Sequence, residues 1–115
     1  MKLILKLQAR VVRESTCERY RHGTIIYDRQ FSEIVAVGTN VRTYPPMIKR
    51  SFHSEEIALL RTNKRGFYTY LSELHVINIR MNQSGELGLA APCYSCDRLL
   101  RVWMNIPSRN IWWTV

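Results

Sequence analysis

The residues with the clearest chemical potential are one histidine, one glutamate and two cysteines, which stand in two short motifs. His53 and Glu55 are two positions apart in the first motif, and Cys93 and Cys96 are three apart in the second, after Pro92. Residues three apart lie on one face of a helix, so both thiols can face a common centre. One imidazole and two thiolates are good zinc ligands, and three protein ligands leave one tetrahedral position open. An open position is typical of a catalytic metal site rather than a structural one.

Glu55 is a second indication of catalysis. Residues i and i+2 do not share a helix face, so His53 and Glu55 can converge only at the open N-terminal end of a helix. A carboxylate there can act as a proton shuttle for a water molecule that the metal activates. A structural zinc module has no use for that carboxylate. The remaining explanation of the C-x-x-C pair, a zinc-free redox motif, is disfavoured by the presence of His53 and Glu55.

Seven elements must position these motifs. The spacing of apolar residues, together with helix and turn signals, predicts three helices and four strands. The helices span Leu3–Tyr20, His53–Lys64 with Ser51 as N-cap, and Cys93–Met104. The strands span His22–Asp28, Glu33–Val37, Leu74–Met81 and Asn110–Val115, and a turn over Asn82–Gly88 follows the third of them. The helices carry apolar positions at Leu3, Ile4, Leu7, Val11 and Val12, at Ile57 and Leu60, and at Leu99, Leu100 and Trp103. The order α-β-β-α-β-α-β predicts parallel pairing after the first hairpin and a three-layer α-β-α fold. The 115 residues fit a single compact domain, 1–115.

The charge of the chain favours a polyanionic partner. Seventeen lysines and arginines against nine acidic residues give a net charge of +8, and thirteen of the seventeen are arginine. Arginine binds phosphate in a bidentate manner, so a nucleotide or a nucleic acid fits this composition, with a merely solvated basic surface as the alternative. The Pro-containing loop over 41–52 carries Arg42, Lys49 and Arg50 beside Tyr44, which offers phosphate binding and base stacking in one place.

The sequence also indicates the cellular compartment in which the protein is expected. The longest apolar runs fall well short of the ~20 residues that a membrane-spanning helix needs. Lys6 and Arg10 interrupt the apolar N-terminus too early for a signal peptide. Three cysteines do not form a disulfide framework, and Cys17 is expected to be a small apolar side chain on the first helix. We therefore expect a cytoplasmic protein without a membrane partner, in the host-cell cytoplasm if it is viral.

His53-Ser54-Glu55 followed by Pro92-Cys93-Tyr94-Ser95-Cys96 resembles the signature of the zinc-dependent cytidine and deoxycytidylate deaminase superfamily. The resemblance covers roughly residue 25 to the C-terminus and implies a cytidine deaminase-like fold. It implies that His53, Cys93 and Cys96 bind Zn2+ and that a zinc-bound water attacks C4 of cytosine, with Glu55 as the proton shuttle. The products would be a uracil base and ammonia.

The same resemblance suggests substrate contacts. Asn40 matches a family asparagine that contacts the sugar or the base, although an asparagine after a strand is also an ordinary turn residue. The backbone N–H of Ser54 would hold the pyrimidine carbonyl oxygen. The Val-Gly-Thr-Asn segment that ends at Asn40 is similar to that of small nucleotide and nucleic-acid deaminases, including viral and phage members. Ala90 and Ala91 lack the glutamate of tRNA adenosine deaminases, which disfavours adenosine.

The sequence departs from the family at its C-terminal end. In relatives the final strand is usually followed by a loop, a helix and a fifth strand, and we expect these elements to be lacking here. That loop reads neighbouring bases in polynucleotide deaminases, so a free cytidine or deoxycytidine nucleoside or nucleotide is the favoured substrate. Single-stranded nucleic acid remains open because of the basic charge. Trp112 and Trp113 point to opposite faces of the last strand and are expected to pack the two faces of the sheet.

Two further expectations follow from the resemblance. The alternative to an enzyme is a catalytically silent deaminase-fold protein that serves in binding or assembly, possibly viral, with a retained zinc site. Family members commonly form dimers or tetramers, and an uncovered sheet edge promotes pairing with another chain. We therefore expect a homo-oligomer.

Overall fold

The structure, a computed structural model, describes residues 2–15, 20–29, 33–42, 51–65 and 74–115. Its elements are α1 (Lys2–Glu14), β1 (Arg21–Asp28), β2 (Glu33–Thr39), β3 (Val41–Arg42), β4 (Ser51–Phe52), α2 (Ser54–Arg65), β5 (Leu74–Met81), β6 (Leu87–Gly88), α3 (Tyr94–Arg98), a π-helical turn (Leu99–Trp103), a 3-10 turn (Ser108–Asn110) and β7 (Ile111–Trp113). The predicted order of the main helices and strands is confirmed. The short strands β3, β4 and β6 are additions to it.

One sheet runs in the order β2-β1-β5, with β6 and β7 both pairing with the far side of β5. β1 is antiparallel to β2 and to β5, and β5 is parallel to β7. The prediction of parallel pairing after the hairpin therefore holds only for β5 and β7. It was wrong for β2 and β5, because β1 lies between them and bonds to both.

The sheet carries helices on both faces, as the three-layer prediction required. Successive residues of a strand point to opposite faces. On one face, Leu7 and Val11 of α1 form a core with Ile25, Ile79 and Met81 of the sheet. On the other face, Ala58 of α2 and Leu100, Met104 and Ile106 of the segment after α3 form a second core. They pack against Ile26, Val35, Leu74, Val76 and Ile111 of the sheet. The catalytic candidates belong to elements of this second face.

The helix boundaries differ from their predictions for local reasons. α1 ends at Glu14 rather than Tyr20, which directly precedes β1, and the predicted position of Cys17 lies outside the described residues. Ser51 was wrong as an N-cap, because it pairs with Arg42 in the β3–β4 ladder. The predicted helix over Cys93–Met104 is α3 followed by the π-helical turn, in which the Met104 N–H donates to the Leu99 carbonyl, five residues back.

Several predicted apolar positions lie at the surface instead. Val12 is 55% exposed, Leu60 is 51% exposed and Trp103 is 75% exposed. Trp112 and Trp113 are also largely exposed on β7, so the prediction that they pack both faces of the sheet was wrong within this chain. Their strand has three residues rather than six and forms its only described ladder with β5. Among the described helices, none has the length and hydropathy of a membrane span.

Candidate metal centre and catalytic site

The structure brings His53, Cys93 and Cys96 together. His53 Nδ1 lies 3.5 Å from Cys93 Sγ and 3.4 Å from Cys96 Sγ. All three donor atoms lie within 4.8 Å of one another. His53 and Cys93 are exposed and Cys96 is buried, so the cluster opens to solvent on one side. The three ligands predicted from the two motifs therefore converge on one point.

Two helix starts create this convergence. His53 is the residue before α2 and Cys93 is the N-cap of α3. In both cases the carbonyl of the ligand residue accepts the first helical hydrogen bond, from Ile57 N–H and Asp97 N–H. The backbone N–H of His53 donates to Glu56 Oε1 at 3.1 Å, which is half of a capping box. Glu56 thus fixes the backbone of one ligand, a role that the sequence reasoning missed.

The spacing of the donors fits a tetrahedral zinc ion. With bonds of about 2.3 Å to sulfur and about 2.0 Å to nitrogen, a tetrahedral zinc ion holds a nitrogen and a sulfur donor about 3.5 Å apart. The observed nitrogen–sulfur distances of 3.4 and 3.5 Å agree with this value. The residues present therefore fit a zinc site with three protein ligands.

The two thiols differ in their electrostatic surroundings. Burial and the neighbouring Glu55 carboxylate raise the pKa of the Cys96 thiol. Burial also raises the pKa of the Cys93 thiol, but hydrogen bonds from Ser95 and from Cys96 outweigh this effect, so the pKa of Cys93 is lowered overall. Cys96 is therefore the thiol that most needs a bound cation in order to ionise.

Glu55 is held in a buried polar network beside the metal ligands. Ser54 Oγ donates to Glu55 Oε1 at 3.1 Å, and Asn78 Nδ2 donates to Glu55 Oε2 at 3.2 Å. Thr24 Oγ1 donates to Asn78 Oδ1 at 2.7 Å and lies 2.8 Å from Ser54 Oγ. Sequence reasoning missed Thr24 and Asn78. The available signal was an asparagine in the middle of the apolar strand LHVINIRM.

Asn40 ties neighbouring backbone segments together. Its Oδ1 accepts from Ser15 Oγ at 2.7 Å and from the His22 backbone N–H at 2.9 Å. Its Nδ2 donates to the Tyr20 carbonyl at 2.9 Å. These contacts match the turn role considered for Asn40. Of the other predicted contacts, Tyr44 lies outside the described residues, and Arg42 is described only as backbone in β3.

His22 is a half-buried residue near the site that the motifs did not reveal. Burial lowers the pKa of His22, and the nearby Arg80 guanidinium and His53 side chain lower it further. Arg80 itself lies over the Tyr20 ring, with its guanidinium carbon 4.0 Å from the ring centroid. The His22 backbone N–H donates to Asn40 Oδ1, and the same strand carries Thr24.

A shallow groove of about 470 Å³ begins at His53 and runs along α3. It is lined by His53, Glu56, Tyr94, Ser95, Arg98, Leu99 and Trp103. Tyr94 and Trp103 are each 75% exposed. The Arg98 guanidinium donates to Tyr94 Oη at 3.2 Å and lies 5.8 Å from the centre of that ring. The groove therefore offers aromatic faces and a cation next to the metal ligands.

The fold is similar to that of solved cytidine deaminases, while the sequence identity to them is low. No protein-family model matches the chain, and no curated protein matches it significantly in sequence. Among solved structures, a cytidine deaminase from Burkholderia pseudomallei superimposes with a TM-score of 0.62 at 14% identity, covering 87% of this chain and 73% of that one. A cytidine deaminase from Mycobacterium tuberculosis gives 0.57 at 11% identity over 97% and 84%, and one from Mycobacterium leprae gives 0.51 at 14% over 85% and 77%. The chain has the cytidine deaminase-like fold.

Proposed function

We propose that this chain catalyses the zinc-dependent hydrolytic deamination of cytosine to uracil in a cytidine or deoxycytidine nucleoside or nucleotide. One observation carries the proposal: a His/Cys/Cys cluster with zinc-compatible spacing has a buried glutamate beside it. A purely structural zinc site would use a fourth protein ligand and would gain nothing from that carboxylate. The cytidine deaminase-like fold supports the assignment but does not by itself specify a reaction.

The residues of the site divide the reaction between them. A zinc ion held by His53, Cys93 and Cys96 would supply a water nucleophile that is activated near neutral pH. The Glu55 carboxylate accepts a proton from the attacking water and gives it to N3 of the cytosine ring. Oxygen adds to C4, Glu55 carries the proton of the new C4 hydroxyl to the exocyclic amine, and the C4–N bond breaks to release ammonia. One water is consumed for each ammonia released, so the step is a hydrolysis.

The groove bears on the choice of substrate. A free nucleoside needs only the immediate surroundings of the metal, whereas a single strand needs aromatic faces for neighbouring bases and cations for its phosphates. Tyr94, Trp103 and Arg98 offer both kinds of group next to His53. Cytosine in single-stranded nucleic acid is therefore the second candidate substrate. The net charge of +8 favours the same partner.

A substrate panel with two variants tests the proposal. Purified protein should contain about one zinc per chain and release ammonia from at least one of cytidine, deoxycytidine, their monophosphates and a cytosine-containing single strand. Glu55→Ala should retain zinc and lose turnover, by at least about 100-fold because a general acid–base is removed. Glu86→Gln, on the exposed turn after β5, is the matched control and should behave as the unaltered protein.

Two results would contradict the proposal. Turnover by Glu55→Ala at the control rate would remove Glu55 from the mechanism. A zinc-loaded protein that releases no ammonia across the whole panel would favour the alternative of a silent deaminase-fold binding protein.

A further inference from the structure

We propose that Asn78 is a positioning residue for the Glu55 carboxylate and that Thr24 fixes the orientation of the Asn78 amide. The inference rests on the proposed role of Glu55 as proton carrier. All members of the network are buried: Thr24 is 0% exposed, Ser54 1%, Asn78 3% and Glu55 7%. Buried polar groups of this kind persist only when they are hydrogen-bonded, so the arrangement of these side chains is specified by their partners.

The sheet register places Thr24 and Asn78 side by side. They are directly opposite each other in the antiparallel pairing of β1 and β5. Both have the same strand parity as Ile26 and Val76, which belong to the core beneath α2. Two polar side chains therefore lie at one spot on an apolar face, directly beneath the first turn of α2, where Ser54 and Glu55 begin the helix.

Hydrogen-bond chemistry fixes the amide orientation. The donor of the Asn78 amide, Nδ2, faces Glu55 Oε2 at 3.2 Å. Its Oδ1 then faces Thr24, whose hydroxyl donates to it at 2.7 Å. With Thr24 replaced by a side chain without a hydroxyl, Oδ1 would lose this donor inside the core.

The network holds both oxygens of the carboxylate separately. Ser54 Oγ binds Oε1 from within α2, and Asn78 Nδ2 binds Oε2 from the sheet. Two donors on opposite oxygens restrict the last torsion of the glutamate side chain, which is broad and two-fold when unrestrained. Because proton transfer requires the carboxylate within hydrogen-bond reach of its partner, this restriction acts on the rate of the reaction more than on substrate affinity.

The first experiment measures kinetics on zinc-loaded variants. Asn78→Leu removes the donor, Thr24→Val removes the hydroxyl at constant shape, and Thr24→Ser retains the hydroxyl as the matched control. We expect kcat to fall about 10- to 100-fold in Asn78→Leu and by a smaller factor in Thr24→Val. KM and zinc content should stay within about twofold of the unaltered protein, and Thr24→Ser should restore most of kcat. A full kcat in both Asn78→Leu and Thr24→Val would overturn the proposal.

The second experiment is independent of activity and of the folding of Asn78→Leu. Side-chain amide hydrogen exchange by NMR should show slow exchange of the Asn78 Nδ2 hydrogens, in contrast to Asn82 on the exposed turn. Glu55→Ala and Thr24→Val should each accelerate exchange at Asn78 by at least about tenfold, because each removes one partner of the amide. Asn82 should not respond. Unchanged exchange at Asn78 in both variants would overturn the proposal.

The two experiments separate this inference from the proposed function. If the unaltered protein turns over nothing while the Asn78 amide responds to Glu55→Ala, the proposed reaction fails and the positioning of the carboxylate is supported. If the unaltered protein is active and the Asn78 amide does not respond, the reaction stands and the positioning role fails.

Discussion

Replacing Gly38 by alanine should disrupt the metal centre without touching any of its ligands. Gly38 lies in β2, directly against the first turns of α2. A Cβ at this position would collide with the Ser54 carbonyl oxygen and would lie 2.5 Å from the Ala58 backbone nitrogen and 3.0 Å from Ala58 Cβ. The obstructing atoms are mainly helix backbone, which no change of rotamer can move. The helix itself must shift away from the strand.

The size of the effect follows from these distances. Contacts of 2.5 Å must open to about 3.5 Å, so the start of α2 moves by roughly 1 Å. Forcing extra volume into a packed site of this kind costs about 1–3 kcal/mol of the free energy of unfolding, or a fall of roughly 5–15 °C in Tm. A displacement of roughly 1 Å of His53 relative to the two cysteines lowers zinc affinity, and the same displacement of Glu55 lowers kcat/KM about 100-fold.

Gly23→Ala is the control for this prediction. A Cβ there would meet the side chains of Val11 and Leu7, with Leu7 Cδ1 at 2.8 Å, on the face that α1 covers. The obstructing atoms are side chains of α1 rather than backbone of α2, and they lie on the opposite side of the sheet from His53. Zinc content, Tm and kcat/KM are measured for both variants. Equal zinc retention and equal kcat/KM in the two would refute the claim that the β2–α2 approach sets the site geometry.

The remaining predictions concern the metal, the groove and assembly. His53→Ala should abolish stoichiometric zinc in elemental analysis, and a chelator should lower the Tm of the unaltered protein but not of this variant. Trp103→Ala should weaken binding of a cytosine-containing single strand about 5- to 100-fold in a fluorescence titration, as expected for one lost stacking platform, while Trp113→Ala, away from the groove, should not. Equal affinities would exclude the groove. Sedimentation should show an oligomer that Trp112→Lys on β7 weakens, and a monomeric unaltered protein would contradict self-association.

The convergence of His53, Cys93 and Cys96 could be predicted from the sequence because the signals are local. The cysteines share one helical turn, and His53 and Glu55 share one helix start, so short-range spacing determines where each points. The prediction needed only that two helix starts meet, and the fold provides this.

The partners of Glu55 could not be predicted in the same way. Thr24 and Asn78 are 54 positions apart, and they meet because β1 inserts between β2 and β5 with one particular register. A shift of one residue in that register would turn Asn78 to the other face. The exposure of Trp103 and Trp112 is equally non-local, because it depends on which neighbours cover each face and not on the apolar character of the residue.

The separation of His53 and Cys93 along the chain has a consequence for the stability of the fold. His53 and Cys93 are 40 residues apart, with β5 between them. An ion bound to both would bridge the two ends of that segment in the folded state only, because the unfolded chain offers no preformed site. Zinc binding would therefore add to the free energy of unfolding, by about 2.7 kcal/mol at a free zinc concentration 100 times the Kd. For a folded chain of 115 residues this is a substantial share of typical net stability. The proposed catalytic ion would then also stabilise the fold, by linking the start of α2 to the start of α3.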